Sequence, residues 1–331
     1  MQHDVPHDVQ HHTAAVALIT PTYSLDLERC ALLCESVDRY VTSFSCHYLI
    51  VPDDELAMFA GFGGGRRVVV PLSEILPTWL KPLPRFIQRN RRRYWGSLRA
   101  KPVGGWYVQQ FAKIATAQLV PETLACVLDS DIVFFRPYQL SAIGQANATP
   151  LFIRPREIAA AAREHASWVR SSHRLLGLDE PSFPADDFIG HIIFWNQRTV
   201  RAMTARLEKV SGRDWIEALC RTRGISEYML YGFFVRNTPA LLRDHRYTTV
   251  SPCLSYWEAD ALDEAALERM LIAATDDCVA LSAQSFSNTP VHRIRAVLER
   301  LPALANAGSS PLAPATPPAR ETKGATMLSR R

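Results

Sequence analysis

Four short, unbroken apolar runs in the first part of the chain constrain its fold more than any other feature: residues 14–19 (AAVALI), 46–51 (CHYLIV), 67–70 (RVVV) and 124–128 (LACVL). Each is shorter than an ordinary helix and lacks polar alternation, which is the pattern of a strand buried on both faces. After the first run, Leu25 to Val37 reads as a helix with Ser24 as its N-cap. Pro52-Asp53-Asp54 and Gly63-Gly64-Gly65 supply turn chemistry after the second run. Strands alternating with helices predict an α/β fold whose mixed, mainly parallel central sheet is flanked by helices. Ligands then belong beyond the carboxyl ends of the strands. The second half predicts helices over 156–176, 197–210, 226–237 and 290–300, with strands over 191–195 and 278–283. No linker divides the core, so 14–301 reads as a single domain. A His-rich arm (1–13) and an Ala/Pro-rich tail (302–331) flank it; neither can bury enough apolar surface to offset the entropy of ordering.

The fourth run ends in Asp129-Ser130-Asp131, and apolar residues resume at Ile132. Two carboxylates at the end of a buried strand are costly unless something cationic meets them. A regular strand would send them to opposite faces, whereas a turn lets both approach one site. A hard divalent ion, Mn²⁺ or Mg²⁺, suits such a pair, because it takes oxygen ligands, keeps waters and binds phosphate at the same time. Asp129 and Asp131 are therefore the candidate metal ligands. Residues 106–119 read as a helix with the apolar stripe Val108, Phe111, Ala115 and Leu119; Gln109, Gln110 and Lys113 fall on another face. In 226–237, Glu227 and Tyr231 are one turn apart. A carboxylate beside Tyr228 and Tyr231 is suited to general-base or hydroxyl-binding work. Asp186 to His191 form a polar loop before a strand.

Several segments, namely ALITPTYSLDLERC, HYLIVPDDE, GGWYVQQFAKI, VLDSDIVFFRP, GHIIFWN and SEYMLYG, resemble the GT-A glycosyltransferase superfamily with its Rossmann-like sheet. More narrowly, they are similar to a group of bacterial glycosyltransferase-like proteins. The likeness extends over about Ala15–Asn237 and is weaker at SAQS near Ser282. It implies a nucleotide-sugar donor, a metal at the D-x-D motif that includes Ser130, and transfer to a hydroxyl of a surface glycan or glycolipid acceptor. It places the nucleoside at Pro21, Thr22 and Tyr23, and the base or ribose at Asp53. Lys113 would approach the donor, Asp187 and His191 the transferred sugar, and Glu227 the reacting centre, with Glu227 and Asp187 as the catalytic candidates. In glycogenin-like relatives a late histidine completes the metal shell; SAQSFSNTPVH lacks one directly after its strand, so the third protein ligand stays unassigned. Two alternatives remain. Asp129-Ser130-Asp131-Ile132-Val133 also fits the D-x-D-x-[TV] motif of haloacid-dehalogenase-type phosphohydrolases, with Asp129 as nucleophile and Asp276-Asp277 as the late acidic pair. A non-catalytic sugar-nucleotide-binding protein would keep the same residues.

Charge adds a possible partner surface. The net charge is +4, but Arg85, Arg89, Arg91, Arg92, Arg93, Arg99 and Lys101 fall in one segment without an acid. Such a segment suits phosphate or an anionic membrane surface; no nucleic-acid motif accompanies it. No apolar run approaches membrane-spanning length. The expectation is a cytoplasmic protein, peripheral to the membrane through the 85–101 segment. Seven cysteines without a C-x-x-C pair point to neither a zinc site nor a disulfide framework.

Overall fold

The computed structural model describes residues 16–84, 93–146 and 148–307. The His-rich arm, residues 85–92 of the basic segment and the tail beyond Ala307 lie outside the described residues. In chain order the elements that build the site are β1 (Val16–Pro21), α1 (Leu27–Tyr40), β2 (Cys46–Val51), β3 (Arg67–Pro71), α2 (Gly105–Leu119), β4 (Leu124–Val127) and β5 (Ile132–Phe134). They continue with β6 (Arg154–Ile158), α3 (Arg163–Leu176), β7 (Ala185–Asp187), β8 (Ile193–Asn196), α4 (Gln197–Ser211) and α5 (Glu227–Arg236). The last are β9 (Cys253–Tyr256), α6 (Glu264–Ile272), β10 (Ala280–Ala283) and α7 (Val291–Ala307).

The apolar runs become the central sheet, ordered β8-β4-β1-β2-β3. β1 pairs in parallel with β2 and with β4, and β2 in parallel with β3, while β8 joins β4 antiparallel. The chain is thus mixed α/β with a mainly parallel central sheet. From β1 it steps outward to β2 and β3, then returns through α2 to β4 on the opposite side of β1. The direction of winding reverses between β1 and β4, and connections diverging from that point leave a crevice at the strands' carboxyl ends. A second, three-stranded sheet, β9-β10-β5, begins directly after β4. The acidic turn is therefore where the chain leaves one sheet for the other.

Burial explains the arrangement. β1 is buried at every position, and Ile19, Phe111 and Trp195 are among the side chains enclosed between the sheet and helices α2, α4 and α5. Truncating a fully buried Phe111 or Trp195 to alanine costs about 3–5 kcal/mol in such a setting. α2 carries its stripe of Val108, Phe111 and Ala115 inward, but Leu119 is exposed. Its polar face is not solvated either: Gln110, Lys113 and Thr116 are buried, because the sheet covers one flank and α4 and α5 pack on others.

Several boundaries differ from the sequence reading. Ser24 begins a 3-10 turn instead of capping α1, and its hydroxyl bonds the Glu55 carboxylate at 2.6 Å. The helix expected from 156 begins at Arg163, since residues 154–158 pair with β7. The strands at His245–Thr248 and Cys253–Tyr256 and the helix α6 were not anticipated. α7 runs past residue 301 to Ala307.

Candidate active site at the acidic turn

β4 stops at Val127, the Leu128 amide still bonds the Ile19 carbonyl at 2.9 Å, and a turn closed from Ile132 N–H to Asp129 O at 3.2 Å follows. This turn directs the two aspartates to different neighbours. Asp129 Oδ1 lies 2.7 Å from Lys113 Nζ. The same ammonium donates to Glu227 Oε1 at 2.9 Å and to the Tyr228 hydroxyl at 3.0 Å. Lysine has three donors, and these three partners use them all. The Lys113 side chain is 7% exposed, and it ties α2, the acidic turn and the start of α5 together. The Asp129 and Glu227 carboxylates hold the Lys113 pKa well above its ordinary value against the opposing effect of burial.

Asp131 meets the second sheet. Ser282 donates its hydroxyl to Oδ1 at 3.3 Å, and the Ser285 amide donates to Oδ2 at 3.2 Å. No ion pair within 4.0 Å forms at this carboxylate among the described residues. Arg29, the cation that lowers its pKa, donates instead to the carbonyls of Ala283 and Thr289. Burial first, then the negative charges of Asp129 and Asp26, raise the Asp131 pKa to about 7. Ser130 bonds Asp26 Oδ2 at 3.4 Å, so the start of α1 also belongs to the site.

The other candidates are distributed around this centre. Pro21 and Thr22 are buried at the end of β1, where the Thr22 amide bonds Ile50 O at 2.9 Å, and Tyr23 is half-buried. Asp53 accepts from the Ser73 amide at 3.2 Å, beyond the end of β2. Glu227 is buried as the first residue of α5, with Ser226 as N-cap and its amide on Gln110 Oε1 at 3.1 Å. Burial raises its pKa, opposed by Lys113. The two tyrosines separate: Tyr228 serves Lys113, whereas the Tyr231 hydroxyl turns to Asn196 N–H and His245, each at 2.8 Å. Asp187 is buried, pairs with Arg154 and accepts from Ile189 N–H at 2.9 Å. Gly232 lets α5 approach this loop, because a Cβ there would lie 2.1 Å from Phe188. His191 is 3% exposed, and burial lowers its pKa to about 4, leaving a neutral ring. Its Nε2 is 3.3 Å from Gln284 Nε2.

The residue directly after β10, where a late histidine was sought, is thus Gln284. His292 stands in α7. Among the described residues no group of three or more His, Cys, Asp or Glu side chains could hold a metal ion. An ion at this turn would depend on Asp131, with Asp129 at its side, and on oxygens from a ligand and water. The residues missed from sequence, Asp26, Ser282, Gln284 and Ser285, are far from the motif in the chain, and only the weak SAQS likeness hinted at three of them. Of the acidic pair in the phosphohydrolase alternative, Asp276 and Asp277 are exposed before β10, while Asp131 meets Ser282 and Ser285 toward its other end.

A groove of about 500 Å³ along β3, lined by Leu56, Ala60 and Val69 among others, shares no residue with the turn. Of the basic segment, Arg93 is committed to Asp54 and Glu55, and Arg99 lies over the Trp79 ring at 5.4 Å; Lys101 is exposed. No helix among the described residues is long and apolar enough to cross a membrane. A search of curated proteins finds no significant match to this chain. A family model described as a family of unknown function (DUF6492) matches residues 13–306, nearly the whole chain, which therefore belongs to that family.

Proposed function

We propose that the chain is a GT-A type glycosyltransferase that moves a sugar from a nucleoside-diphosphate donor to a hydroxyl acceptor. One observation carries this reading: a half-buried carboxylate without an ion-pair partner among the described residues, Asp131, stands on a turn at the point where the sheet reverses its winding. That crevice suits a nucleotide, and two adjacent carboxylates suit a hard divalent cation whose remaining ligands are phosphate oxygens and water. Mn²⁺ or Mg²⁺ held by Asp131 and Asp129 would supply neutralisation of the charge that develops on the leaving diphosphate.

The chain's own residues do the positioning. Lys113 fixes Asp129 against Glu227, so the turn keeps its shape while Asp131 stays available. Pro21 to Tyr23 and Asp53, at the ends of β1 and β2, line the nucleoside side of the crevice in this reading. Glu227 acts in it through Lys113, since its Oε1 is already occupied and the side chain is buried. Asp187 likewise holds Arg154 near the loop that carries His191.

The test is thermal protection by UDP or GDP with Mn²⁺ or Mg²⁺, followed by hydrolysis and transfer assays over a panel of nucleotide sugars. Metal-dependent protection and turnover, both abolished in Asp131→Ala, are expected. Protection without hydrolysis or transfer would make the chain a binding protein; full turnover in Asp131→Ala would end the metal role.

A further inference from the structure

The acidic turn makes no use of one small sheet beside α2. Its strands, Lys81–Pro82, Tyr94–Gly96 and Val103–Gly104, lie side by side in that order, with Lys81 opposite Gly96 and Tyr94 opposite Gly104. The third strand runs straight into α2, whose Gly105 amide bonds Arg93 O at 3.1 Å. α2 then runs down to the start of β4, while Lys113 on it meets Asp129 past the other end of β4. From Lys113 back to Gly105 the helix rises about 12 Å, so the small sheet stands on the crevice side of the molecule.

Residues 97–102 close the hairpin between the second and third of these strands. Ser97 Oγ accepts from the amides of Arg99 and Ala100 at 3.0 and 3.2 Å. Arg221 donates to Arg99 O, and the Arg99 guanidinium covers the ring of Trp79, which is half-buried. The tip is thus anchored by polar bonds, and Leu98 at its apex is fully exposed; no other large apolar side chain among the described residues is more so. Around it the charge has one sign. Lys81, Arg99 and Lys101 are exposed and have no acidic partner among the described residues, whereas Arg93 and Arg221 do. No Asp or Glu occurs from Lys81 to Gly104.

We propose that this hairpin tip docks the protein on an anionic lipid surface, with Leu98 entering the headgroup region and Lys81, Arg99 and Lys101 meeting lipid phosphates. Apolar insertion and electrostatic attraction add in such binding, and an indole beside the tip suits the boundary between headgroups and acyl chains. A protein partner needs a broad contact, about 800 Å² on each side, but the neighbours of Leu98 are charged or proline and leave a point instead of a face. Nucleic acid would meet the same cations and leave the leucine without a role. The inference goes beyond sugar transfer and adds an orientation: the crevice opens on the side that faces the lipid.

Flotation of the full chain with vesicles tests this without nucleotide or metal, so its outcome is separate from that of the transfer assays. Vesicles of phosphatidylcholine alone are compared with vesicles of phosphatidylcholine and phosphatidylglycerol in equal parts. Binding to the anionic vesicles only, weakened by added salt, is expected. The partition coefficient should fall about threefold to tenfold in Leu98→Ser and about fivefold in Lys101→Ala, with Tm unchanged because both side chains are exposed. An environment-sensitive fluorophore on Leu98→Cys should shift to the blue with anionic vesicles, while the wild type treated in the same way, its cysteines mostly buried, should not. Absence of vesicle binding, or binding that neither variant weakens, would overturn the proposal. So would self-association or capture of single-stranded DNA that depends on Leu98 or Lys101 while vesicles are ignored.

Discussion

Asp129 and Asp131 sit two residues apart on one turn, yet their surroundings have opposite electrical character. On the side facing α2 and α5, Asp129 and Glu227 share a buried ammonium whose three donors are all in use. On the side facing the second sheet, Asp131 has a hydroxyl and an amide but no ion pair among the described residues. The first arrangement is closed: charge is compensated within the fold, and removing Lys113 leaves Glu227 an uncompensated charge in the interior. The second is open, because neutral donors offset only part of the cost of burying a carboxylate. A protein that needs one rigid side and one responsive side of a ligand site gains both from a single turn.

The contrast can be broken most directly at Lys113. Lys113→Met keeps the volume and removes the cation, so it should cost about 3–5 kcal/mol in urea unfolding. Adding Glu227→Gln should return part of that loss. A cost below about 1 kcal/mol would mean that the closed side is not compensated as described.

A buried titrating group away from the turn sharpens the comparison. His47, fully buried between Thr20 and Arg67, has its pKa lowered by burial to about 3 from an ordinary value of 6.5. A histidine depressed in the folded state contributes stability that is complete above the unfolded value and is lost as pH falls toward the folded one. Stability should therefore drop between pH 6.5 and about 3, with this group adding a slope of up to about 1.4 kcal/mol per pH unit. His47→Gln should flatten that limb in unfolding titrations; an unaltered limb would assign it to other groups.

Asp131→Asn probes the open side. Removing a carboxylate that faces Asp129 and Asp26 should change unfolding free energy by less than about 1 kcal/mol, while protection by UDP or GDP with Mn²⁺ is lost. A large destabilisation would show that Asp131 is a structural residue instead. Smallest of all, Ser130→Ala removes a 3.4 Å bond to Asp26 and should cost about 0.5 kcal/mol or less; a larger effect in the same assay would mean that Ser130 anchors α1 to the turn.

Legibility followed locality. The runs at 46–51 and 67–70 became strands at almost the predicted positions, because an apolar run of that length has few other ways to hide itself. The helix over 106–119 was equally plain, but the state of Lys113 was not: helical spacing puts it on a polar face, and spacing does not show what packs there. The motif at 129–131 was visible as a pair of carboxylates in an apolar stretch. That they part company was not, since one partner set lies at 113 and 227 and the other at 282 and 285. Arg154 carried no local signal at all.

The sequence by itself determined the strand-and-helix alternation and the turn where two closely spaced carboxylates must be met by compensating groups. Only the tertiary structure decided which aspartate is neutralised and which is left open. The physical reason is that propensity and periodicity act over a few neighbouring residues, whereas the field at a buried charge is set by side chains that folding brings from more than a hundred positions away.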